Sequence, residues 1–389
     1  MGGTRKLRLA AMATAATLTA TVVGVPMAWG TTSAAPADVA DVADSSIAST
    51  VAPVLKENGS TARTYSQQEM QRVDGEGGDP AVLDYWTPER MAAATSLDDA
   101  GDRALIARTA RDAARDLAAG GSAATLGSAA VDEAAQGGEI VTRPAAAADA
   151  VTAGKSGGMQ PLAVKRFPIT TGKLFIGGYQ GDRYCSASAL NTRSKRVVIT
   201  AGHCVHEGRG GGWMKNVVFV PKYNGNASRP APYGKFQART LHTFKAWIRY
   251  GGTTRGWGRD VGMISTYTNA NNKRVVRVVG GNGLVVNKSY RFTASVFGYP
   301  SNLSNGEVMR ACTGKASKTQ AIPHTSKIFG CNFGKGSSGG PWLWKYNGDT
   351  RLGFTIGVTS FGPSNNKFIG SPHFDTAVRS LAITANNAS

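Results

Sequence analysis

The sequence predicts an all-β domain that begins near residue 161 and runs to residue 389. Short runs rich in Val, Ile, Phe and Thr recur there, separated by Gly, Asn, Pro and Ser, as in sandwiches and barrels. Helical periodicity is almost absent from this segment. All four cysteines of the chain also lie in it, which suits a β domain held by bridges. A single all-β unit of this size is ordinary.

Six runs of the β domain carry the strand prediction, because β-branched and aromatic residues favour extended backbone. In chain order they are 173–176, 196–200, 217–220, 261–264, 290–297 and 353–358. Near the C-terminus the pattern changes. The segment from Asp375 to Ala382 predicts a terminal helix, with Asp375 as its N-cap.

Residues 38–160 form a leader of different composition, rich in Ala, Asp and Arg and without Cys or His. Apolar residues spread among Ala, Asp and Arg predict a helical window from Pro88 to Leu117. Pro88 and the adjacent aspartates Asp98 and Asp99 suit helix starts. The Ala-, Gly- and Ser-rich stretch that follows is typical of a linker. We therefore expect a partly helical or disordered region before the β domain.

Residues 1–37 predict an export signal. Three basic residues precede an Ala-, Thr- and Val-rich stretch from Leu9 to Trp29, and small residues follow it. A membrane anchor is the alternative, because about 20 residues can span a bilayer. However, Thr and small residues dilute the stretch, and no basic stop-transfer cluster follows. We therefore predict secretion to the extracellular space, where the cysteines would form disulfides.

Charge divides the chain into two opposite parts. Residues 1–160 hold 13 Lys and Arg against 19 Asp and Glu, a net of −6, whereas the remainder holds 31 against 6, a net of +25. This composition excludes uniform disorder, and the single long apolar stretch excludes a multi-pass membrane protein. The acidic leader and anionic surface polymers are candidate partners of the basic part. No nucleic-acid-binding motif occurs, so we expect no specific nucleic-acid partner.

Three short segments of the β domain carry the residue types that nucleophilic catalysis needs. Ile199–Cys204 contains a histidine, 259–264 an aspartate and 336–341 a serine. A serine hydroxyl is a poor nucleophile near neutral pH, so an imidazole must take its proton and a buried carboxylate must orient that imidazole. We predict Ser338 as nucleophile, His203 as general base and Asp260 as the orienting carboxylate.

The carboxylate is assigned to Asp260 rather than Glu307. Asp260 is the only Asp between Asp182 and Asp349, and it opens an apolar run in which it can be buried. Glu307 lies in a predicted turn. The glycines around the serine have a separate task, because backbone N–H groups of Gly336 and Ser338 would form an oxyanion hole.

The remaining histidines and the cysteines do not predict a metal site or a cofactor. No Cys-x-x-Cys or His-x-x-x-His pair occurs. We expect His206 at the surface, and His242, His324 and His373 in structural or surface positions. The four cysteines allow three connectivities, of which sequence-local pairing would close two loops of similar size. They are Cys185, Cys204, Cys312 and Cys331.

These segments resemble those of the chymotrypsin-like serine endopeptidases, the trypsin superfamily. Thr200–Cys204 is similar to the family's Thr/Ser-Ala-x-His-Cys, and Asp260 is followed by an apolar strand as in the family. Gly336–Pro341 resembles Gly-Asp-Ser-Gly-Gly-Pro. The resemblance covers about residues 165 to 382 and is nearest to the exported bacterial branch, which includes glutamyl endopeptidases and streptogrisins.

The resemblance implies a double six-stranded β-barrel with the Ser-His-Asp triad in the cleft between the barrels. It implies a secreted monomer that hydrolyses protein or peptide substrates, and a bridge from Cys185 to Cys204. Residues 161–389 would be the protease domain, and 38–160 a pro-region and linker. We expect cleavage between about Gly157 and Arg166, with a solvated stalk as the alternative role of the leader.

At two positions the sequence departs from the family pattern, and these departures limit which family properties can be expected of this chain. Ser337 stands where animal enzymes have an Asp that pairs with the newly freed N-terminus, so that activation switch cannot operate here in its usual form. Asn332 stands at the base of the primary pocket instead of the Asp that selects Lys or Arg. Since the expected wall also lacks the His of glutamyl-specific members, we expect preference for a neutral or apolar side chain. The wall residues are Thr359, Ser360, Phe361 and Gly362.

Two other functions compete with this interpretation. Gly336–Gly340 also fits Gly-x-Ser-x-Gly of α/β-hydrolases, with Asp349 and His373 in the right order for an esterase. The strand-rich pattern, however, leaves no room for crossover helices. Alternatively, the basic β domain could bind anionic polymers, with a vestigial catalytic site.

Overall fold

Two eight-stranded sheets form most of the structure. The computed structural model describes residues 44–56, 61–99, 138–148, 166–178 and 181–389. The predicted export signal and residues 100–117 of the predicted helical window lie outside these residues. Among the described residues, no helix is long and apolar enough to cross a membrane.

The leader contributes strands and helices to this structure. In chain order they are β1 (Ile47–Val51), β2 (Val54–Leu55), β3 (Ala62–Arg63), α1 (Gln67–Gly75), α2 (Pro80–Tyr85), α3 (Pro88–Ala93), β4 (Thr95–Ser96), a 3-10 helix (Leu97–Asp99) and β5 (Glu139–Thr142).

Local sequence explains where the leader helices begin. Ser66 accepts a hydrogen bond from the N–H of Glu69, whose side chain accepts one from the N–H of Ser66, a capping box that starts α1. Thr87 caps α3, and Pro88 opens it, as predicted. The helix ends at Ala93, however, because the chain leaves it to form β4 and the 3-10 helix.

The first part of the β domain holds six strands and two short helices. They are β6 (Thr171–Ile176), β7 (Arg183–Ala189), β8 (Val197–Thr200), β9 (Val218–Pro221), β10 (Phe236–Phe244), α4 (Lys245–Tyr250), α5 (Thr254–Trp257) and β11 (Gly262–Thr266). A second 3-10 helix, Gly202–Cys204, follows β8.

The six strands β6 to β11 close into a barrel. Their order is β10, β11, β8, β7, β6 and β9, and β9 pairs again with β10. Every strand pair within this ring is antiparallel. Because side chains alternate between the two faces of each strand, one set fills the interior of this barrel. That set includes Leu174, Val198 and Ile264, all at most 1% exposed.

The second part of the β domain follows in the chain. Its elements are α6 (Val275–Val279), β12 (Gly283–Val286), β13 (Thr293–Gly298), β14 (Arg310–Lys318), β15 (Thr325–Phe329), β16 (Pro341–Asn347), β17 (Leu352–Val358), β18 (Phe368–Pro372) and α7 (Thr376–Asn387). The sheet order is β18, β15, β14, β13, β16, β17, β12 and β5. The predicted β class and the C-terminal helix are confirmed, and Asp375 caps α7 by accepting a hydrogen bond from Ala377 N.

Two disulfides link neighbouring cysteines, Cys185 with Cys204 and Cys312 with Cys331. Of the three connectivities, the sequence-local one is therefore confirmed. The first bridge ties β7 to the 3-10 helix that follows β8. In this way it fixes the segment that carries His203.

The leader joins both sheets of the β domain. Strand β1 pairs antiparallel with β10, β4 pairs parallel with β7, and β5 pairs antiparallel with β12. Trp86 is fully buried, and its indole N–H donates to the carbonyl of Asn216 at 2.8 Å. The carboxylate of Asp74 binds the guanidinium of the buried Arg196 through two contacts of 2.7 and 2.8 Å. These contacts make the described part of the leader a component of the packed protein.

Candidate active site

His203 lies in the short 3-10 helix that follows strand β8. Its side chain is 13% exposed, and its ring packs against the indole rings of Trp247 and Trp257, with centroids 6.0 and 6.4 Å away. One ring nitrogen, Nδ1, lies 2.8 Å from Oδ2 of Asp260. A carboxylate can only accept here, so Nδ1 carries a proton and donates it.

Asp260 lies two residues before the start of strand β11 and is completely buried. Its Oδ1 accepts a hydrogen bond from the backbone N–H of His203 at 2.7 Å. Its Oδ2 accepts from His203 Nδ1 and, at 2.6 Å, from the hydroxyl of Ser360. A buried carboxylate needs such donors to stay charged. Asp260 is thus fixed as the group that orients the imidazole.

Glu307, the alternative carboxylate, lies elsewhere and is bound to other groups. Its two oxygens accept hydrogen bonds from the buried ammonium of Lys173 and from the hydroxyl of Tyr223, each at 2.9 Å. Burial lowers the pKa of Lys173 to about 8, although the charge of Glu307 opposes that shift. The structure therefore pairs His203 with Asp260.

Ser338 lies in a tight loop between strands β15 and β16 and is 5% exposed. Two glycines in left-handed backbone conformation, Gly336 at φ +82° and Gly339 at φ +81°, shape the loop. A Cβ on Gly339 would lie 2.0 Å from Oγ1 of Thr200, and one on Gly336 would lie 2.5 Å from the ring of Tyr184. Only glycine fits both positions without displacing these neighbours.

Hydrogen bonds hold the serine loop in place without the aspartate found in animal enzymes. The hydroxyl of Ser337 donates to the carbonyl of Gly334 at 2.6 Å. The buried Ser186 donates to the carbonyl of Gly336 and accepts from the N–H of Tyr299, both at 2.9 Å. No local sequence pattern indicates this role of Ser186, because it lies 150 residues from Gly336 in the chain.

His203 and Ser338 line a cleft with a volume of about 590 Å³. The four residues of the predicted pocket wall also line it: Thr359, Ser360, Phe361 and Gly362. Asn332, predicted at the base of the pocket, is instead exposed and is not among the residues that line the cleft. Its buried neighbour Phe333 lines the cleft instead, so the irregular loop turns the side chain of Asn332 to the surface.

A leader residue, Asp98, enters the same cleft from the 3-10 helix that follows β4. One of its carboxylate oxygens, Oδ1, lies 3.2 Å from Nε2 of His203 and 3.2 Å from Oγ of Ser338. The other, Oδ2, accepts hydrogen bonds from the backbone N–H of Gly336 at 2.8 Å and from the Ser338 hydroxyl at 3.1 Å. Sequence reasoning did not find this role, because Asp98 suited a helix start.

The two carboxylates that flank His203 change its proton affinity. Burial disfavours a charged imidazole, but the charges and hydrogen bonds of Asp260 and Asp98 outweigh burial and raise the pKa of His203 to about 10. Burial also opposes the charge of Asp98, yet His203, Gly336 and Ser338 lower the pKa of that carboxyl below its usual value. His203 is therefore an imidazolium near neutral pH in this arrangement.

The other histidines do not enter the cleft. His206 is 4% exposed, which corrects its predicted surface position: its ring packs edge-on against Trp213, and Nδ1 accepts a hydrogen bond from the N–H of Gly208. His242 is buried beneath the leader, between the hydroxyls of Ser49 and Thr240. His373, which the esterase interpretation requires, stacks on the ring of Tyr290 at 4.0 Å.

One group of three candidate metal ligands occurs among the described residues. It consists of Cys185, His203 and Cys204. Both sulfurs belong to one disulfide, so neither is a thiolate that can bind a metal ion. The imidazole of His203 is already bound by carboxylates. We therefore assign no metal to this group.

Comparison with known proteins agrees with this geometry. The family model described as Trypsin matches residues 166–383, more than half of the chain. A search of curated proteins finds no significant match. Among solved structures, a protease named Anisep from Arthrobacter nicotinovorans is 32% identical with a TM-score of 0.51, covering 57% of this chain and 98% of its own.

A thermostable serine protease, AL20, from an extremophilic microorganism is 28% identical with a TM-score of 0.51 and the same two coverages, 57% and 98%. The part of this chain that these structures cover is the size of the β domain. The six-stranded barrel, the second sheet and the matched family model agree on one assignment. This chain belongs to the trypsin family and is a chymotrypsin-like serine endopeptidase.

Proposed function

We propose that this chain is the precursor of a secreted endopeptidase that cleaves peptide bonds through a Ser338–His203–Asp260 triad and an acyl-enzyme. One observation carries the proposal: a single oxygen of Asp98 lies 3.2 Å from both Ser338 Oγ and His203 Nε2, while Asp260 binds His203 Nδ1 at 2.8 Å. These distances support a triad in which His203 and Ser338 face the cleft and the buried Asp260 lies behind His203.

The reaction would follow from this arrangement once Asp98 has left. Ser338 Oγ attacks the substrate carbonyl carbon, and its proton passes to the free Nε2 of His203. The carbonyl becomes an oxyanion that the N–H groups of Gly336 and Ser338 bind. His203 then protonates the departing amine, which leaves an ester on Ser338. Water, activated by the same imidazole, hydrolyses that ester and releases the carboxylate product.

The presence of an anionic oxygen supports the proposed oxyanion hole. Oδ2 of Asp98 accepts a hydrogen bond from Gly336 N at 2.8 Å, within the range expected for a donor to a transition-state oxyanion. The left-handed conformation of Gly336 presents this N–H to the cleft. Asp260 accepts hydrogen bonds from three donors and would stabilise the imidazolium that forms during each step.

The side chain before the scissile bond would be neutral or apolar. The wall predicted for the side-chain pocket, Thr359 to Gly362, carries no charge, and the buried apolar residues Phe333 and Ile369 line the same cleft. A charged side chain placed there would lose its hydration without gaining a partner. This wall has no charged side chain that could pair with a Lys, Arg or Glu of the substrate.

Secretion and processing complete the proposal. The basic and apolar start of the chain supports export, and the two disulfides suit an oxidising compartment. Cleavage between about Gly157 and Arg166 would give a monomeric enzyme with a net charge near +25. Such an enzyme would adhere to anionic surface polymers in a salt-dependent way.

The test compares the secreted enzyme with its Ser338→Ala variant. Wild type should hydrolyse casein and react with a serine-directed fluorophosphonate, whereas Ser338→Ala should lose the label and about six orders of magnitude in kcat. Ser289→Ala, in an exposed turn, is the matched control and should retain both activities. Equal hydrolysis and labelling in Ser338→Ala and wild type would overturn the triad. No activity in the wild-type enzyme would favour the polymer-binding alternative.

A further inference from the structure

Two leader residues, Leu97 and Asp98, line the cleft in which a substrate would bind. Thr95 and Ser96 form the short strand β4 and pair with Arg183 and Tyr184 of β7. Leu97 is 6% exposed and packs in the core cluster of the first barrel. The three residues that precede Asp98 are thus held by strand pairing and by packing. They fix the backbone from which the side chain of Asp98 extends to the catalytic residues.

The anchoring extends further back along the leader. Trp86, Met91 and Ala94 are buried in one apolar cluster with Phe175 and Tyr184 of the first barrel. Tyr184 contacts both ends of this arrangement, because it pairs with Ser96 and its ring lies against Gly336. The position of Asp98 is therefore defined by packing rather than by its own contacts alone.

The side chain of Asp98 contacts all three parts of the catalytic centre. Its oxygens lie 3.1 and 3.2 Å from Ser338 Oγ, 2.8 Å from Gly336 N and 3.2 Å from His203 Nε2. The group is a carboxylate, which presents two equivalent oxygens and a net negative charge. It combines the shape of a planar acyl group with the charge of an oxyanion.

A carboxylate at this position cannot react as a substrate. Its charge is shared by two oxygens, so its carbon is a poor electrophile, and the only leaving group that attack could expel is oxide. In addition, the hydroxyl of Ser338 donates its hydrogen bond to Asp98, and the same carboxylate oxygen, Oδ1, lies 3.2 Å from Nε2 of His203. The nucleophile is thus separated from its base.

We infer that Asp98 is an internal inhibitor: its carboxylate occupies the oxyanion hole and holds Ser338 and His203 in an unreactive arrangement until the leader departs. This inference rests on the proposed function. It adds that the catalytic centre binds a side-chain carboxylate as an inhibitory ligand. The charge of Asp98 also favours the imidazolium form of His203, which cannot accept a proton from Ser338.

The experiment measures how fast a small fluorophosphonate labels the full-length chain. Intact mass spectrometry separates labelled full-length chain from any processed enzyme, so self-cleavage does not disturb the reading. Asp98→Ala removes the carboxylate and should raise the labelling rate constant at least tenfold over wild type. Asp98→Asn keeps the shape but removes the charge, so it should give an intermediate rate.

The matched control is Asp84→Asn, an exposed aspartate at the end of α2 in the same leader. It should label at the wild-type rate, which excludes a general effect of leader charge. Thermal unfolding of each variant checks that the fold is retained. If Asp98→Ala destabilises the chain, Asp98→Asn alone decides the result.

Two results would overturn the inference. One is a secreted enzyme that is active while the full-length Asp98 variants label no faster than wild type. The other is a full-length wild-type chain that labels as fast as the secreted enzyme. If the proposed function itself is wrong, the result is different, because the secreted enzyme would then show no Ser338-dependent labelling.

Discussion

Two aspartates flank the imidazole of His203, one from the β domain and one from the leader. Asp260 binds Nδ1 at 2.8 Å and is completely buried, whereas the side chain of Asp98 lies 3.2 Å from Nε2 and is 21% exposed. Both carry the same functional group at nearly the same distance. In the proposed mechanism their consequences for catalysis are opposite, because a general base needs one ring nitrogen oriented and the other free.

The difference also concerns how each aspartate is held. Asp260 accepts hydrogen bonds from His203 and Ser360, which belong to the β domain and remain after any processing. Asp98 is placed by a segment of the leader that pairs with β7 through only two residues. A carboxylate from the domain itself can serve catalysis permanently, whereas one from the leader can block it temporarily.

The largest expected effect comes from replacing the buried aspartate. Asp260→Asn in the secreted enzyme presents an amide to Nδ1 and favours the wrong tautomer of His203, so kcat should fall about 10⁴-fold with little change in KM. Steady-state kinetics on a peptide substrate measures both. A loss of less than tenfold would contradict the assignment of Asp260.

The second prediction concerns the charge of His203, which lies between the two aspartates compared above. In the full-length Ser338→Ala chain, His203 should stay an imidazolium until the pH approaches about 10. Because the ordinary pKa is 6.5, its contribution to stability is complete below pH 6.5 and is lost as the pH rises through about 10. Nitrogen-15 NMR of the imidazole and urea unfolding between pH 6 and 10 measure the two effects.

Asp98→Asn in the same background removes one of the two flanking charges. The pKa of His203 should then fall, and the alkaline loss of stability from this residue should begin at lower pH. Asp84→Asn should leave the titration of His203 unchanged. An unchanged titration in Asp98→Asn would show that Asp260 alone sets the charge of the imidazole.

The smallest expected effect comes from Ser360, whose hydroxyl donates to Asp260 at 2.6 Å. Ser360→Ala removes one of the three hydrogen-bond donors to the buried Asp260. A hydrogen bond to a charged group contributes about 1.5 to 3 kcal/mol. We expect kcat/KM to fall about tenfold or somewhat more. Ser360→Thr keeps a hydroxyl and should recover most of the activity. If Ser360→Ala and Ser360→Thr have the same activity, the hydroxyl of residue 360 does not support Asp260.

Much of the site followed from local sequence. His203, Asp260 and Ser338 each lie in a short segment whose neighbours fit one backbone conformation, such as the left-handed glycines around Ser338. Such segments can be identified without tertiary information, because a left-handed backbone favours glycine whatever surrounds it, as at Gly336 and Gly339. The sequence-local disulfides and the cap of α7 by Asp375 follow the same principle.

Other features could not be found in this way. Val275–Val279 has the composition of a strand but forms the short helix α6, because tertiary packing overrides β-propensity in so short a segment. The family pattern puts Asn332 at the base of the pocket, yet Asn332 is exposed and Phe333 lines the cleft. A family pattern does not determine which side of an irregular loop a side chain occupies.

Composition and local motifs are enough to predict the β class, the acidic leader before a basic domain, and the three residues able to form a triad. That the leader adds strands to both sheets, and that Asp98 meets Ser338 across 240 residues of chain, is seen only in the folded protein. The triad motifs can be identified because each is a short run of residue types. The approach of Asp98 depends on packing between distant segments, which no local pattern encodes.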